Sequence, residues 1–377
     1  MSTHTDATYG DGLWRVWRAV LRDRLRGNPG RANARLGFLS PPAGSGRLIW
    51  IKSAGTRTSV LIGAELLRAI REKRLDVRLA LTFETEHRSL IAARVNGLRK
   101  IGVGYGPSAR PAALRRVLRR FDPLGVVLVG PVHAGAWRRF AGHRLMAVDC
   151  WPQADLAIPT DVATLPSCRA QAAAWGGRAQ RMFPSAALVS LLVEAQVDPN
   201  FKTLVGGGRA LDIWWLHAAE AEMYVAAWRT SVLARDGVLF VSGARIADSV
   251  TLSTWQRTAI PAGSIVAVDE PHWLPAIAAS ASAIHLVAPS PLEFWQALAG
   301  GTIVSYDIDD IDMFVNEVDY PLPRHLTGNE LMDAWQAYRD EPLRTRRQAD
   351  SLRRLFWTER RRAQAAAATL LQEIYTW

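Results

Sequence analysis

Short runs of apolar, β-favouring residues alternate along the chain with longer stretches whose apolar residues recur every three or four positions. The runs "LIWIK" (48–52), "VRLALTF" (77–83), "KIGVGY" (100–105), "GVVLVG" (125–130), "RLMAVD" (144–149) and "DLAIP" (155–159) read as strands. Between the first two lies "SVLIGAELLRAIREKRL", a helical pattern with a basic final turn, and "RPAALRRVLRRF" before the fourth is a second amphipathic helix. Strands that alternate with helices imply a parallel sheet with helices on both faces.

The alternation resumes after "NFKTLVGGGRA" (200–210), a glycine-rich stretch that reads as an interdomain linker. The second set of strands is "DIWWLH" (212–217), "VLFVSG" (238–243), "SIVAVD" (264–269), "AIHLVA" (283–288) and "GTIVSY" (301–306), again separated by helical stretches. From "ELMDAWQAYRD" onward the chain reads as helix. The pattern predicts an α/β chain with an N-terminal segment (1–40), two Rossmann-like domains (41–200 and 201–340) and C-terminal helices (341–377). Ligands of such sheets sit outside the carboxyl ends of the strands, and between the two halves.

Composition narrows the setting. The length of 377 residues fits two domains, and 49% hydrophobic with 21% charged residues supports an ordinary core. Two cysteines, Cys150 and Cys168, are too few for a disulfide framework or a cysteine zinc site, so a reducing cytoplasm is the simplest compartment. The net charge is +11 and the basic residues are nearly all arginine, which favours a polyanionic partner; an arginine-rich coding bias produces the same excess. No nucleic-acid-binding module accompanies the charge, so no nucleic-acid partner is expected. No secretory signal and no apolar run of about 18 residues is present, so no span is expected. "LWRVWRAVLRDRLRG" (13–27) interleaves tryptophan and arginine at helical spacing, which fits an interfacial helix on an anionic membrane or a helix docked on its own domain.

Several stretches could carry chemistry. "SAGT" (53–56) follows the first strand and precedes a helix, where free backbone N–H groups face outward; a tight turn reads the same way. "GVGYG" (102–106) and "GGG" (206–208) match no phosphate-binding fingerprint. "DIDDID" (307–312) suggests a metal-binding acid pair but reads better as a solvated loop, and the histidines show no ligand spacing, so no metal is expected. "LHAAEAE" places His217 at a strand end with Glu220 and Glu222 in the helix start, and Glu293 in "SPLEFWQALAGGTIVSYD" (290–307) holds the corresponding place in a later unit. An acid in a first helical turn favours the dipole, and it also can hold a ligand's hydroxyls.

These stretches carry a resemblance. "RLGFLSPPAGSGRLIWIKSAG", "LTFETEHRS", "VDPNFKTL", "LHAAEAE" and above all "SPLEFWQALAGGTIVSYD" resemble the Kdo transferases, over roughly residues 25 to 375. That family consists of two-domain GT-B enzymes that move 3-deoxy-D-manno-octulosonic acid (Kdo) from CMP-Kdo onto lipid A precursor. The resemblance implies two Rossmann-like domains with a cleft between them, a cytoplasmic place with peripheral attachment to the inner membrane, and no cofactor. It implies that Glu293, with Ser290, Pro291 and Leu292, holds the nucleotide's ribose hydroxyls, and that Lys202, His217 and Glu220 belong to the donor site. Ser53, Gly55, Thr56, Arg57 and Thr58 would line the acceptor side, with a phosphorylated glycolipid as acceptor. The family's general base is a glutamate after the first strand, and "KSAGTRTS" has no carboxylate there; a neutral hydroxyl cannot take the proton at pH 7. Either another acid serves, with Glu84 and Glu86 as candidates, or the acceptor differs, or catalysis is lost. A non-catalytic scaffold and a transferase for another nucleotide sugar stay open as alternatives.

Overall fold

The structure, a computed structural model, describes residues 12–85, 88–132, 137, 139–152, 161–194, 199–246, 249–252, 259–308, 314 and 326–377. The chain divides into two compact units, Met1–Leu188 with Arg362–Trp377, and Val189–Arg361.

The first unit runs α1 (Leu13–Leu25), α2 (Pro29–Arg35), β1 (Leu48–Ser53), α3 (Arg57–Lys73), β2 (Arg78–Phe83), α4 (Arg88–Val95), β3 (Ile101–Tyr105), α5 (Pro111–Phe121), β4 (Pro123–Val129), β5 (Arg144–Val148), β6 (Val162–Leu165), α6 (Arg169–Trp175) and β7 (Arg181–Met182). Its strands form one sheet in the order β3-β2-β1-β4-β5-β6-β7, parallel throughout. Such a strand is covered on both faces, and β1 is buried at all six positions. On one face Trp50 packs edge-on against Phe121 at 5.7 Å and Phe140 at 5.8 Å, and its N–H donates to Thr82 Oγ1 at 2.9 Å. On the other, Gly63 of α3 lies so close to the Ser53 hydroxyl that no Cβ would fit.

The second unit runs α7 (Pro199–Leu204), β8 (Asp212–His217), α8 (Glu222–Thr230), β9 (Gly237–Ser242), β10 (Val250–Thr251), β11 (Ile265–Ala267), α9 (Leu274–Ser280), β12 (Ala283–Val287), α10 (Pro291–Ala299), β13 (Ile303–Asp307), α11 (Gly328–Asp340) and α12 (Pro342–Tyr375). Its sheet is parallel too, in the order β10-β11-β9-β8-β12-β13. Trp214 and Trp335 stack at 5.0 Å in its core, beside Trp228 and Leu331. Helix α12 begins in the second unit and ends in the first. In the second, Arg360 donates to the Val193 carbonyl at 2.9 Å; in the first, Arg74 donates to the Tyr375 carbonyl at 3.1 Å and Arg144 to that of Thr376 at 2.8 Å.

The two parallel sheets and helical tail match the α/β architecture that the pattern predicts. The expected strand at 155–159 lies outside the described residues, and the sixth strand of the first sheet is Val162–Leu165. The glycine-rich stretch 200–210 falls inside the second unit, where it forms most of α7 and then the 3-10 turn Gly206–Gly208.

His285, in the middle of β12, is fully buried. Its Nδ1 meets Ser305 Oγ at 2.9 Å, and its Nε2 has no partner among the described residues. Burial pushes its pKa down from the usual 6.5 to about 4. The unfolded chain therefore binds this proton more readily, and stability falls as pH drops from 6.5 to about 4. That window is worth about 3 kcal/mol at most. Urea denaturation across it should show an acid limb that His285→Leu flattens; a limb of equal size in the variant would assign the loss to other groups.

Candidate functional site

In each sheet a pair of polar side chains lies at a carboxyl end, Lys52 and Ser53 in β1, His217 and Ser242 in β8 and β9. From β8 the chain crosses to β9, β10 and β11 on one side, then returns to β12 on the other, so the strand order reverses between β8 and β12. A reversal of this kind opens a crevice at the carboxyl ends of the strands.

His217 ends β8 and is half-buried there. Its Nδ1 lies 2.9 Å from Ser242 Oγ, at the end of the neighbouring β9. The same hydroxyl accepts the Trp215 indole N–H at 2.9 Å. The Ser242 hydroxyl keeps a second lone pair and its own proton, so it pairs with Nδ1 in either tautomer of the neutral imidazole. Burial lowers the His217 pKa, and the Glu293 carboxylate works in the opposite sense. The imidazole is thus neutral at pH 7, with the Glu293 charge near enough to act on it.

Glu293 stands in the first turn of α10, after Ser290 at the N-cap and Pro291 in the first turn. Proline at a helix start has the right φ and lacks a donor that would have no partner there. The exposed Ser290 hydroxyl makes no cap bond to the backbone and donates to the Glu293 carboxylate. Leu292 turns into the core, which fixes how the turn sits. The approach from β12 runs through Ala288, held at φ 45°, a left-handed position more natural for glycine. Glu220 is exposed and precedes α8, whose first turn holds Glu222. Lys202 falls within α7, and its side chain is outside the described part. The structure therefore pairs His217 with Ser242, which no motif announces, and puts Glu293 near enough for its charge to act on the imidazole. The signal for Ser242 was its place as the last residue of an apolar run, before a glycine.

The first sheet reverses between β1 and β4. At the end of β1, Ser53 is fully buried against Gly63, and Thr58 is buried in α3, so neither side chain is open to a ligand here. Thr56 is the N-cap of α3 and accepts the Ser59 N–H at 3.2 Å. Arg57 is half-buried, and Gly55 faces Thr85 and Glu84. Glu84, half exposed beyond β2, lies 3.3 Å from the nearly buried Lys52 ammonium, and its backbone carbonyl accepts from Arg31 at 3.2 Å. Glu86 lies outside the described residues. A further acid, Asp149, follows β5 at φ 52°; its carboxylate accepts from Gln171 Nε2 at 3.3 Å, and burial raises its pKa. Cys150 and Cys168 are buried free thiols with raised pKa values, unlike reactive cysteines.

Among the described residues no group of three or more His, Cys, Asp or Glu side chains gathers to hold a metal ion. "DIDDID" is described only at Asp307 and Ile308, and the rest of it lies outside the described residues.

No family model matches the chain, and no curated protein sequence matches it. Solved structures do. The glycosyltransferase of kitacinnamycin matches with a TM-score of 0.55 at 11% identity, over 88% of this chain and 99% of that one. MurG from Acinetobacter baumannii gives 0.52 at 10% identity, over 88% and 100%. UDP-GlcNAc 2-epimerase from Neisseria meningitidis, bound to UDP-GlcNAc, gives 0.50 at 10%, over 80% and 94%. At these identities the likeness is one of fold, and the fold is GT-B.

Gly243, directly after Ser242, has φ 88°, and a Cβ there would come 3.0 Å from the Ala218 carbonyl oxygen and 3.1 Å from His217 Cε1. Gly243→Ala should cost about 1–2 kcal/mol in urea denaturation, from the left-handed backbone. It should also move the His217 titration seen by NMR. An unmoved titration would mean that Gly243 does not set the ring's position.

Proposed function

We propose that the chain is a GT-B glycosyltransferase that takes Kdo from CMP-Kdo and places it on a phosphorylated glycolipid of the lipid A class. The observation that carries this reading is the meeting of His217, Ser242 and the Glu293 carboxylate at the strand-order reversal of the second sheet. A ribose presents two neighbouring hydroxyls, and a carboxylate beside a neutral imidazole can bind them, with charge-assisted hydrogen bonds to the carboxylate. Ser290, bonded to Glu293, and the exposed Glu220 are assigned to the same site. The first-turn N–H groups of α10, with Lys202, are assigned to the phosphate of the leaving CMP, which they would stabilise as charge develops.

In the reaction the acceptor hydroxyl oxygen bonds to the anomeric carbon. The bond from that carbon to the CMP phosphate oxygen breaks, and CMP leaves with the electron pair. The hydroxyl proton passes to a carboxylate, for which Glu84 and Glu86 are our candidates; Asp149, with its raised pKa, is a competing one. Gly55, Thr56 and Arg57 are assigned to the acceptor side. An acceptor of this kind lies in a membrane, and α1 is the segment we assign to an anionic membrane surface. One observation favours a non-catalytic scaffold instead: the turn after β1 carries no acid, and Thr56 uses its oxygen to cap α3.

Calorimetric titration with CMP, UMP, GMP and AMP tests the donor assignment. CMP should bind selectively, and Glu293→Ala should weaken it by at least about 1 kcal/mol, the scale of a charge-assisted hydrogen bond. Preference for a uridine nucleotide would change the donor. Binding of none of the four would favour the scaffold.

A further inference from the structure

Helix α1 is held to its unit by one face. Val16 and Val20 pack with Ala32 of α2, and the buried Asp23 accepts from Arg35 Nε at 2.5 Å, with Arg31 Nε 3.8 Å away. The opposite face carries Leu13, Trp14, Trp17, Leu21 and Leu25, all at least half exposed, Trp14 at 73% and Leu25 at 80%. Positions 14, 17, 21 and 25 follow one another at helical spacing, so these side chains form a single stripe. Exposed Arg15, Arg18, Arg22 and Arg24 flank it, and the one acid of the helix, Asp23, is turned inward.

The surface continues beyond α1. Gly37, at φ 81°, sits against the Ala113 backbone of α5 more closely than any Cβ would allow. The Ser108 hydroxyl donates to the Arg35 carbonyl at 2.8 Å, so α2 is fastened beside the start of α5. The exposed Phe38 ring lies 4.4 Å from the Arg116 guanidinium carbon, and Arg116 also donates to the Leu36 carbonyl. Helix α5 buries Leu114, Val117 and Leu118 and exposes Arg115, Arg116, Arg119 and Arg120, with no acid in its sequence.

We propose that α1, Phe38 and the outer face of α5 form one docking surface for an anionic lipid bilayer. The Trp and Leu stripe enters the headgroup boundary, and arginines of both helices meet lipid phosphates. Charge complementarity selects this occupant: every exposed charged residue within α1 and α5 is an arginine, set around an aromatic stripe, the pattern of an interfacial helix. It rests on the reading of α1 as the segment that meets an anionic surface, and it adds α5 as the second half.

The test floats the full-length protein with vesicles of phosphatidylcholine alone and of phosphatidylcholine with phosphatidylglycerol. Wild type should float with the anionic vesicles and fall off them as salt rises. Trp14→Gln/Trp17→Gln should abolish flotation. Arg115→Gln/Arg119→Gln/Arg120→Gln should lower partition onto anionic vesicles at least about tenfold, since each basic residue near such a surface is worth about fivefold. These side chains are exposed, so circular dichroism should show both variants folded. Loss in the tryptophan variant with none in the arginine variant overturns the α5 half alone. Wild type that floats with neither vesicle overturns both halves. A dimer in sedimentation velocity that Trp14→Gln/Trp17→Gln abolishes would then assign the stripe to a second copy.

Discussion

Both sheets are parallel throughout, and a parallel strand has to be covered on both faces. Polar side chains are therefore expensive everywhere along such a strand except at its carboxyl end. His217 and Ser242 sit at that end of the second sheet, and the Ser242 hydroxyl satisfies the buried Trp215 N–H and the His217 Nδ1 together. One hydroxyl thus holds the orientation of the imidazole and the buried indole together. The place of the candidate nucleotide site follows from this constraint and from the reversal of strand order beside β8.

The two sheets use their carboxyl ends differently. The second has a neutral histidine and an acid whose charge bears on it. The first has a nearly buried lysine held by a half-exposed glutamate, with Thr56 turned to capping. An acid directly after β1 is what the Kdo-transferase resemblance leads one to expect; in the reaction proposed above, its absence leaves Glu84, Glu86 and Asp149 as the candidates for the proton. Burial raises the Asp149 pKa, which suits a group that must accept a proton near neutral pH.

The strands that fill a core were legible in the sequence. "LIWIK" became Leu48–Ser53 and "DIWWLH" is Asp212–His217, because burial on both faces demands a continuous apolar run. The two-residue strands Arg181–Met182 and Val250–Thr251 left no such signal, since pairing with a neighbouring strand defines them and not their own composition. Glycine misled at 200–210, where spacing alone did not tell a linker from a helix followed by a tight turn. At the site, Glu293 and His217 were readable from motif and position, but their approach to Ser242 was not, because it depends on which strands become neighbours. Lys52 had a weak signal, a lone cation near the end of an apolar strand, and only the fold supplied Glu84 as its partner. The helix at 13–25 was readable as amphipathic; which face stays outside was settled by Asp23, whose pairing with Arg35 turns the valine side inward.

The most direct test of the nucleotide site is hydrogen–deuterium exchange with and without CMP. Slower exchange confined to the segments around 216–222, 242–245 and 288–295 would place the nucleotide at the carboxyl ends of β8, β9 and β12, as the account predicts. Protection elsewhere, or none at CMP concentrations that saturate binding, would contradict it.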